Sequence, residues 1–420
     1  MSTHSMHMRY SFAFYIAGCV GVLAGTPPRE SPTSFLLFVT LWGISATLIA
    51  YYCDRLPYYA KGLLIGALLV RVAFLFTDPL LSDDLFRYLW EGNIQMNGFN
   101  PFVHSPDSDQ LIHLRDHVWS QVGHKEVSTI YPPGSLAMFR MFAATTYSPF
   151  IVKLTAASAD LLTVMIIYLG TRKRGLAATA IWALHPLPIL ESAQNGHIEA
   201  TAVMLTAACL YLIQRGDLAK AWAIAVAGAM VKILPIALLI PISRRQKLSR
   251  SALAIFLTII AVAISLVPWM DPSLLRGFNR YYEAWSFNSS GFNILLLLSG
   301  DQGVARIIGV AIGALILIPV ALRKTSAATF LLYVSAALIA LSPVVHPWYI
   351  LWALLPALWV GAWPWAVLAT TSLWSYHVLG TYDPISATWT EAWWIPAIEY
   401  TVPLIATIVW LRLRRQPSEG

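Results

Sequence analysis

Uninterrupted apolar runs constrain the fold of this chain more than any other feature. The run "ALAIFLTIIAVAISLVPWM" (252–270) carries almost no polarity, and its length is close to the roughly 20 residues that a helix needs to cross a bilayer. Only helical bundles and closed barrels satisfy their backbone hydrogen bonds in lipid. Because barrel strands would alternate apolar and polar residues, the runs predict an all-α fold, a polytopic transmembrane helical bundle.

Composition supports a membrane protein with no large soluble domain. Hydrophobic residues make up 57% of the chain and charged residues 12%, whereas a soluble domain carries about 25% charged residues. We therefore predict a single transmembrane domain over 1–420. Cys19, Cys53 and Cys209 lie in or beside apolar segments, so no disulfide framework or thiolate metal site is indicated.

The net charge of +7 indicates membrane topology and not nucleic-acid binding, because much of the basic charge is clustered between helices. The clusters are "TRKRG" (171–175), "RRQKLSR" (244–250), "RKT" (323–325) and "RLRR" (412–415). Short basic loops are typical of the cytoplasmic side. The tail 412–420 is then cytoplasmic, and the first long loop, 77–132, is extracytoplasmic.

The same rule predicts the membrane topology of the rest of the chain. Helices are predicted near 10–26, 35–53 and 58–76, with the first read as an uncleaved helix and not a signal peptide. The segment 218–243 is too short for two full spans, so we expect two half-length helices that meet near Lys232 and Pro235, as broken helices do beside polar cavities. A short or re-entrant helix over 134–147 brings the total to about 11–13 membrane segments.

The loop stretch "SDDLFRYLWEGNIQMNGFNP" (82–101) is unusually rich in polar and aromatic side chains. On a helix that starts at Ser82, Arg87 lies three or four positions from Asp83 and Asp84, and Glu91 lies one further turn along. A carboxylate whose pKa is tuned by a second acid and an arginine can act as a general base. The alternative is an N-capped interfacial helix with an aromatic belt.

Ionisable residues within apolar segments are the second group of candidates. Lys232 lies in "AGAMVKILPIALLIPI", where a lysine is costly and usually functional, and it could hold a phosphate as a point charge. Snorkelling to the interface is the alternative. Arg71 and Asp160 could pair structurally. His197 and His346 start or end helices on the outer side, where capping or anchoring is an equally good interpretation.

Together these stretches resemble the GT-C superfamily of integral-membrane glycosyltransferases, in particular its bacterial polyprenyl-phosphate-sugar-dependent, mannosyltransferase-like members. The segments that carry the resemblance are "SDDLFRYLWEGNIQMNGFNPF", "IYPPGSL", "QNGHIEA", "MVKILPI" and "HPWYILW". The resemblance covers about 58–360, and it implies a donor sugar on an isoprenoid phosphate and an acidic motif in the first outer loop.

On this basis each candidate receives a role. Asp83 or Asp84 would be the catalytic base. The remaining candidates are Lys232, Arg87 and His346 for the donor phosphate, and Tyr88, Glu91, Asn100, His197 and Tyr349 for the substrate. The residues do not establish a cofactor, although Asp83 and Asp84 could together hold a divalent cation, Mg²⁺ or Mn²⁺.

The sequence therefore predicts an inverting glycosyltransferase of the cell envelope. It would move a sugar, mannose or another hexose, from a polyprenyl-phosphate carrier to a glycan or glycolipid acceptor. Its site would face outward from the cytoplasmic (inner) membrane, in contact with membrane lipid. A transporter or flippase, a glycan ligase or polymerase, and a non-catalytic assembly subunit are the alternatives that the residues leave open.

Overall fold

The protein is all-α, as the sequence predicts. The computed structural model describes residues 3–25, 27–53, 60–172, 175–383 and 388–415, and the regular structure within these ranges is helical. Extended backbone in the described ranges pairs only at two isolated bridges, Phe287 with Val344 and Asp383 with Thr388. The part 416–420 of the predicted cytoplasmic tail lies outside the described residues.

The helices follow one another with short connections, apart from the first long loop. The α-helices are α1 (Thr3–Ala24), α2 (Pro32–Cys53), α3 (Ala60–Leu75), α4 (Asp84–Met96), α5 (His117–Gln121), α6 (Pro133–Thr145), α7 (Pro149–Thr171), α8 (Ala177–Leu184), α9 (Pro186–Ile189), α10 (Glu199–Arg215), α11 (Leu218–Val231), α12 (Leu239–Ser243), α13 (Leu248–Leu266), α14 (Arg276–Ala284), α15 (Gly291–Ser299), α16 (Gln302–Leu322), α17 (Ala327–Leu341), α18 (Leu351–Val360), α19 (Pro364–Ser372) and α20 (Trp394–Arg415). A π-helix covers Leu190–Gln194, and 3-10 helices cover Asp109–Leu114, Leu234–Leu238, Val267–Trp269, Pro347–Ile350 and Leu373–Gly380.

Several helices are long and apolar enough to cross a membrane, which makes this a membrane protein. In the described part of the chain they are Pro32–Cys53, Pro149–Thr171, Leu248–Trp269, Gln302–Leu322 and Trp394–Leu413. Very little of Leu248–Trp269 is buried inside the protein. Its apolar surface therefore suits contact with lipid and not with a protein core.

The chain divides into two compact units. The first unit comprises Met1–Val70, Ile167–Ile189 and Ser286–Gly420. In its core, Trp42 on α2 donates a hydrogen bond from Nε1 to the carbonyl oxygen of Leu184 at 3.0 Å. His185 is fully buried, and its Nε2 lies 2.9 Å from Oγ1 of Thr370 on α19. These bonds satisfy polar groups that would otherwise be costly to bury.

The second unit comprises Arg71–Ile166 and Leu190–Trp285, and it contains the acidic loop. Within it, α4 packs closely against α6, because Gly92 leaves room for the backbone carbonyl of Phe139. The ring of Tyr88 stacks on the ring of Phe139 at 4.6 Å. The N-terminal part of α6 is tied to α11, since Ser135 donates to the carbonyl oxygen of Val231 at 2.6 Å.

Two ionisable side chains predicted to pair with structural partners do so in this unit. Arg71 Nε lies 2.6 Å from Asp160 Oδ2, and both side chains are almost fully buried. Ser192 adds a hydrogen bond to the same carboxylate oxygen at 3.2 Å. A buried ion pair of this kind is stable only when its remaining polar atoms are also satisfied.

The predicted interruption of the helix at Lys232 is confirmed, and one predicted helix start is shifted. Helix α11 ends at Val231, and Lys232 has extended backbone angles of φ −147° and ψ 136°. After the break, Pro235 of the following 3-10 helix packs near Gly228 of α11. Helix α4 begins at Asp84 and not at Ser82, because the Ser82 hydroxyl accepts from the Asp84 amide at 3.2 Å and so lies outside the helix.

Candidate active site

The two aspartates of the loop start α4 but have different surroundings. Asp83 is the N-cap residue, and its carboxylate lies against the backbone of Gly123, where a Cβ atom would collide with it. Burial raises the pKa of Asp83, and the neighbouring charge of Asp84 raises it further, whereas His124 and Arg87 lower it. Asp83 and Asp84 are both partly exposed, and the side chain of Asp84 is 29% exposed.

Three groups surround one oxygen of the Asp84 carboxylate. The hydroxyls of Tyr88 and Tyr131 donate to Oδ2 at 3.4 and 3.5 Å, and Nε2 of His197 lies 3.8 Å from it. The two tyrosine rings meet edge to face at 5.4 Å. These contacts are longer than the roughly 2.5–2.7 Å of a charge-assisted O–H···O⁻ bond, but all three groups lie on the same side of the carboxylate.

His197 is held in place by the π-helix that precedes it. Glu191 lies within this π-helix, and its carboxylate oxygen Oε2 is 2.8 Å from Nδ1 of His197. The carbonyl oxygen of Glu191 also accepts from the His197 amide at 2.9 Å. Gly196, with φ +69°, provides the left-handed turn between them. The imidazole is therefore oriented so that its other nitrogen faces Asp84, as a second residue orients a histidine in other sites.

Lys232 supplies a cation on the other side of Tyr131. Its ammonium nitrogen lies 4.8 Å from the centre of the Tyr131 ring, a cation–π distance. The same nitrogen lies 2.6 Å from Oε1 of Glu199, whose side chain is almost fully buried. Tyr131 thus lies between the Asp84 carboxylate and the Lys232 ammonium. The Glu199 carboxylate offsets the cost of partly burying the ammonium.

Arg87 fixes the far part of the loop over α4. One terminal nitrogen donates to the carbonyl oxygens of Gly123 and His124 at 2.7 Å each. The other donates to the carbonyl oxygen of Val127 at 3.0 Å and lies 3.4 Å from Glu91. A phosphate would have to compete with these carbonyls for the guanidinium, so the predicted phosphate contact of Arg87 stays a prediction.

Glu91 is the buried partner of Arg87 on the same face of α4. Its second carboxylate oxygen accepts from the Thr129 hydroxyl at 2.7 Å. Burial raises the pKa of Glu91 to about 7, although Arg87 and the Thr129 hydrogen bond both lower it. Glu91 is therefore a proton-binding group within the wall of the site. It contacts Thr129, which lies two residues before Tyr131 in the chain.

Most of the residues singled out from the sequence belong to this one network. They are Asp83, Asp84, Arg87, Tyr88, Glu91, His197 and Lys232. Asn100 is in the same unit, but it donates to the carbonyl oxygen of Trp269 at 3.4 Å and accepts from the Phe102 amide at 3.0 Å. These contacts give Asn100 a turn-stabilising position near the acidic helix.

His346 and Tyr349 belong to the first unit. The His346 ring stacks on Trp348 with centroids 4.2 Å apart, and the Tyr349 ring meets it edge-on at 5.5 Å. Their predicted contacts with donor phosphate and substrate stay predictions.

Several residues of the network were not singled out from the sequence. Tyr131 stands in "IYPPG", which reads as a rigid turn, and Thr129 precedes it. Glu191 is an acid within apolar surroundings, a costly placement that is itself a signal of function, whereas Glu199 stands out in the sequence beside His197. Their partners cannot be read from spacing, because each contact depends on a turn or a helix end.

A metal site has limited support among the side chains. In the described ranges, no group of three or more histidine, cysteine, aspartate or glutamate side chains is arranged to hold a metal ion. The prediction of Mg²⁺ or Mn²⁺ at Asp83 and Asp84 therefore rests on those two carboxylates alone.

Comparison with known proteins gives one match. The sequence model of the MptA_B family, described as alpha-(1->6)-mannopyranosyltransferase, N-terminal domain, matches residues 29–243. This range includes the acidic loop, His197, Glu199 and Lys232. No curated protein and no solved structure matches the chain.

Proposed function

Since the chain belongs to the family of alpha-(1->6)-mannopyranosyltransferases and is therefore a mannosyltransferase of the membrane, we propose that it transfers mannose from a polyprenyl-phosphate carrier. The acceptor is a hydroxyl of a glycan or glycolipid, and the reaction inverts the anomeric carbon. The site faces the outer side of the cytoplasmic membrane. The observation that carries this proposal is the network in which Tyr131 lies between the accessible Asp84 carboxylate and the Lys232 ammonium.

In the transfer, the acceptor oxygen attacks the anomeric carbon of mannose while the bond from that carbon to the phosphate oxygen breaks. The electron pair of the broken bond leaves with the lipid phosphate, which is a stable anion and needs no proton. The acceptor hydroxyl loses its proton to a carboxylate. One base and one cation are therefore enough, unlike glycoside hydrolysis, in which a leaving alkoxide needs an acid.

Asp84 is the base in this mechanism. Its carboxylate is partly exposed, whereas Asp83 lies against Gly123. Tyr88 and Tyr131 keep the carboxylate oriented, and His197, as an imidazolium oriented by Glu191, stabilises its charge from 3.8 Å. A general base must lie within reach of the proton that it accepts. The Asp84 carboxylate faces Tyr131, on the side of Lys232, and meets this requirement better than the Asp83 carboxylate, which faces the loop at Gly123.

Lys232 holds the departing phosphate. It lies in the break between α11 and the following 3-10 helix, at a point where an ammonium can approach a headgroup without leaving the protein. Glu199 holds the lysine in place until the donor binds. A fixed cation aimed at the position where negative charge develops is an effective form of transition-state stabilisation.

An inverting transfer that forms an alpha linkage needs a donor in which the phosphate is beta-linked. Purified protein in detergent, given radiolabelled polyprenyl-phosphate mannose as the separate anomers and an alpha-(1->6)-linked mannan acceptor, should transfer label from the beta anomer. Asp84→Asn should lower kcat by about 10²–10⁴-fold, the usual contribution of a general base. Asp83→Asn should lower it far less.

Asp109→Asn is the matched control, because Asp109 is an exposed acid of the same loop. It should retain wild-type transfer. Full activity of a folded Asp84→Asn variant would refute the base assignment. A folded wild-type protein that transfers mannose from nucleotide-linked donors only would refute the carrier.

A further inference from the structure

An open cleft runs along α14, a segment to which no function has been attached above. It has a volume of about 590 Å³, within the size range of small-molecule sites. Its polar lining comes from one turn and one helix face: Asp271, Ser273, Arg276, Asn279, Arg280 and Glu283. A cavity of this size with so many polar side chains is a candidate ligand site.

Helix α14 has three different faces. Gly277 packs on the backbone of Ser128 and Thr129, where any Cβ would collide with carbonyl oxygens. Phe278 and Tyr282 form an exposed stacked pair on a second face, which suits the membrane surface because aromatic side chains concentrate at that depth. Positions 276, 279, 280 and 283 form the third face, since they recur at helical spacing, and this face lines the cleft.

The side chains of the third face are available to a ligand. No hydrogen bond or ion pair joins Arg276, Asn279, Arg280 or Glu283 to another side chain in the described residues, and Arg280 and Glu283 are exposed. On the turn, Asp271 accepts hydrogen bonds from the amide and hydroxyl of Ser273. The exposed helix face thus offers donors on Asn279 and Arg280 and acceptors on Asn279 and Glu283, whereas Asp271 is already engaged by Ser273.

The charges of the lining balance, and this balance identifies the class of ligand. Two arginines face one aspartate and one glutamate. A phosphate site would carry an excess of cations, because an anion is repelled by nearby carboxylates. A saccharide has many hydroxyls, each of which both donates and accepts, so it matches a lining of alternating arginine, amide and carboxylate groups.

The cleft is built on the loop that carries the candidate active site. Thr129, against which α14 packs, donates to Glu91 at 2.7 Å. Tyr131, two residues further, reaches Asp84. Asn100 of the same loop donates to the carbonyl oxygen of Trp269, two residues before Asp271 of the cleft. The same short segments therefore position both the cleft and the acids.

We propose that the cleft along α14 binds the saccharide chain of the acceptor through its hydroxyl groups, beyond the sugar that receives mannose. This inference rests on the proposed function, because it assumes an acceptor that is a glycan or glycolipid. Arg280 and Glu283 form hydrogen bonds to the saccharide from the solvent side, and Arg276 and Asn279 line the part of the cleft nearer the turn. The aromatic face of α14 keeps the cleft at the membrane surface, where a lipid-linked donor is presented.

The test separates acceptor binding from donor binding. In Arg280→Gln and Glu283→Gln, KM for an alpha-(1->6)-linked manno-oligosaccharide should rise about tenfold, which is the loss of one hydrogen bond to a charged group. The donor KM and kcat should stay within about twofold of wild type. Arg250→Gln is the matched control, because Arg250 is exposed and belongs to a basic cluster outside the cleft.

An unchanged acceptor KM in both variants, or a rise in the donor KM instead, would overturn the cleft assignment. Saturation-transfer NMR of the full-length protein with the same oligosaccharide, and without any donor, measures acceptor binding independently of transfer. If the wild type transfers no mannose from polyprenyl phosphate, the proposed function fails. The NMR comparison of wild type with Arg280→Gln then still tests the cleft. Equal binding by the two proteins would refute saccharide binding there.

Discussion

At the scale of single residues, the buried carboxyl of Glu91 couples the site to pH. Burial raises its pKa to about 7 in the folded protein, above the ordinary value of about 4.3 for an unfolded chain. The folded state therefore binds a proton that the unfolded state releases. This favours folding at low pH, and the benefit disappears as the pH rises through about 7.

Glu91→Gln should remove this pH dependence while it keeps an acceptor for the Thr129 hydroxyl. As the pH rises from about 5 to about 8, the wild type should lose up to about 3 kcal/mol of stability relative to the variant. Thermal unfolding of both proteins in the same detergent, at a series of pH values, measures the difference. Parallel stability curves over this range would contradict the prediction.

At the scale of elements, the approach of α4 to α6 depends on one glycine. A Cβ on Gly92 would collide with the carbonyl oxygen of Phe139 and would lie 3.0 Å from Cβ of Ala143. Gly92→Ala should therefore push α4 away from α6 and cost about 1–3 kcal/mol. Because Asp84 and Tyr88 lie on α4, mannosyl transfer should fall as well.

Gly62→Ala on α3 is the matched control for that substitution. No atom lies within 4 Å of the Cβ that it would add, so it should be neutral or stabilise α3 by about 0.5–1 kcal/mol, through helix propensity alone. Melting temperature and transfer rate measured for both variants test the contact. Equal behaviour of the two would mean that α4 and α6 are not packed as described.

At the scale of the whole molecule, the proposed orientation in the membrane can be tested by labelling. In a background in which the three native cysteines are replaced, Asp109→Cys lies in the acidic loop and Ser249→Cys lies in a basic cluster, and both positions are exposed. A membrane-impermeant maleimide should label Asp109→Cys in intact cells and Ser249→Cys only after permeabilisation. The reverse pattern would place the acidic loop inside.

The sequence predicts the parts of this molecule that depend on composition and local chemistry. The all-α fold follows from apolar runs, and the break near Lys232 and Pro235 follows from the length of 218–243, which is too short for two full spans. The residues of "SDDLFRYLWE" were identified because charge in a loop between apolar helices is conspicuous. Their chemical roles stay predictions.

What the sequence does not predict depends on contacts between distant segments. The pairing of His197 with Glu191 needs a π-helix, which has no clear sequence signal. The position of Tyr131 between Asp84 and Lys232 joins three segments that are far apart in the chain. The sequence places Glu199 beside His197, but nothing in its spacing indicates that Lys232 is its partner.

The buried pair of Arg71 and Asp160 has a consequence for how the protein is made. An unpaired arginine or aspartate at the centre of a membrane helix costs about 2.5–3.5 kcal/mol during insertion. Arg71 leaves the ribosome 89 residues before its partner. Insertion of α3 before α7 has been synthesised would therefore leave Arg71 without its partner. The ion pair thus favours insertion of α3 together with α7.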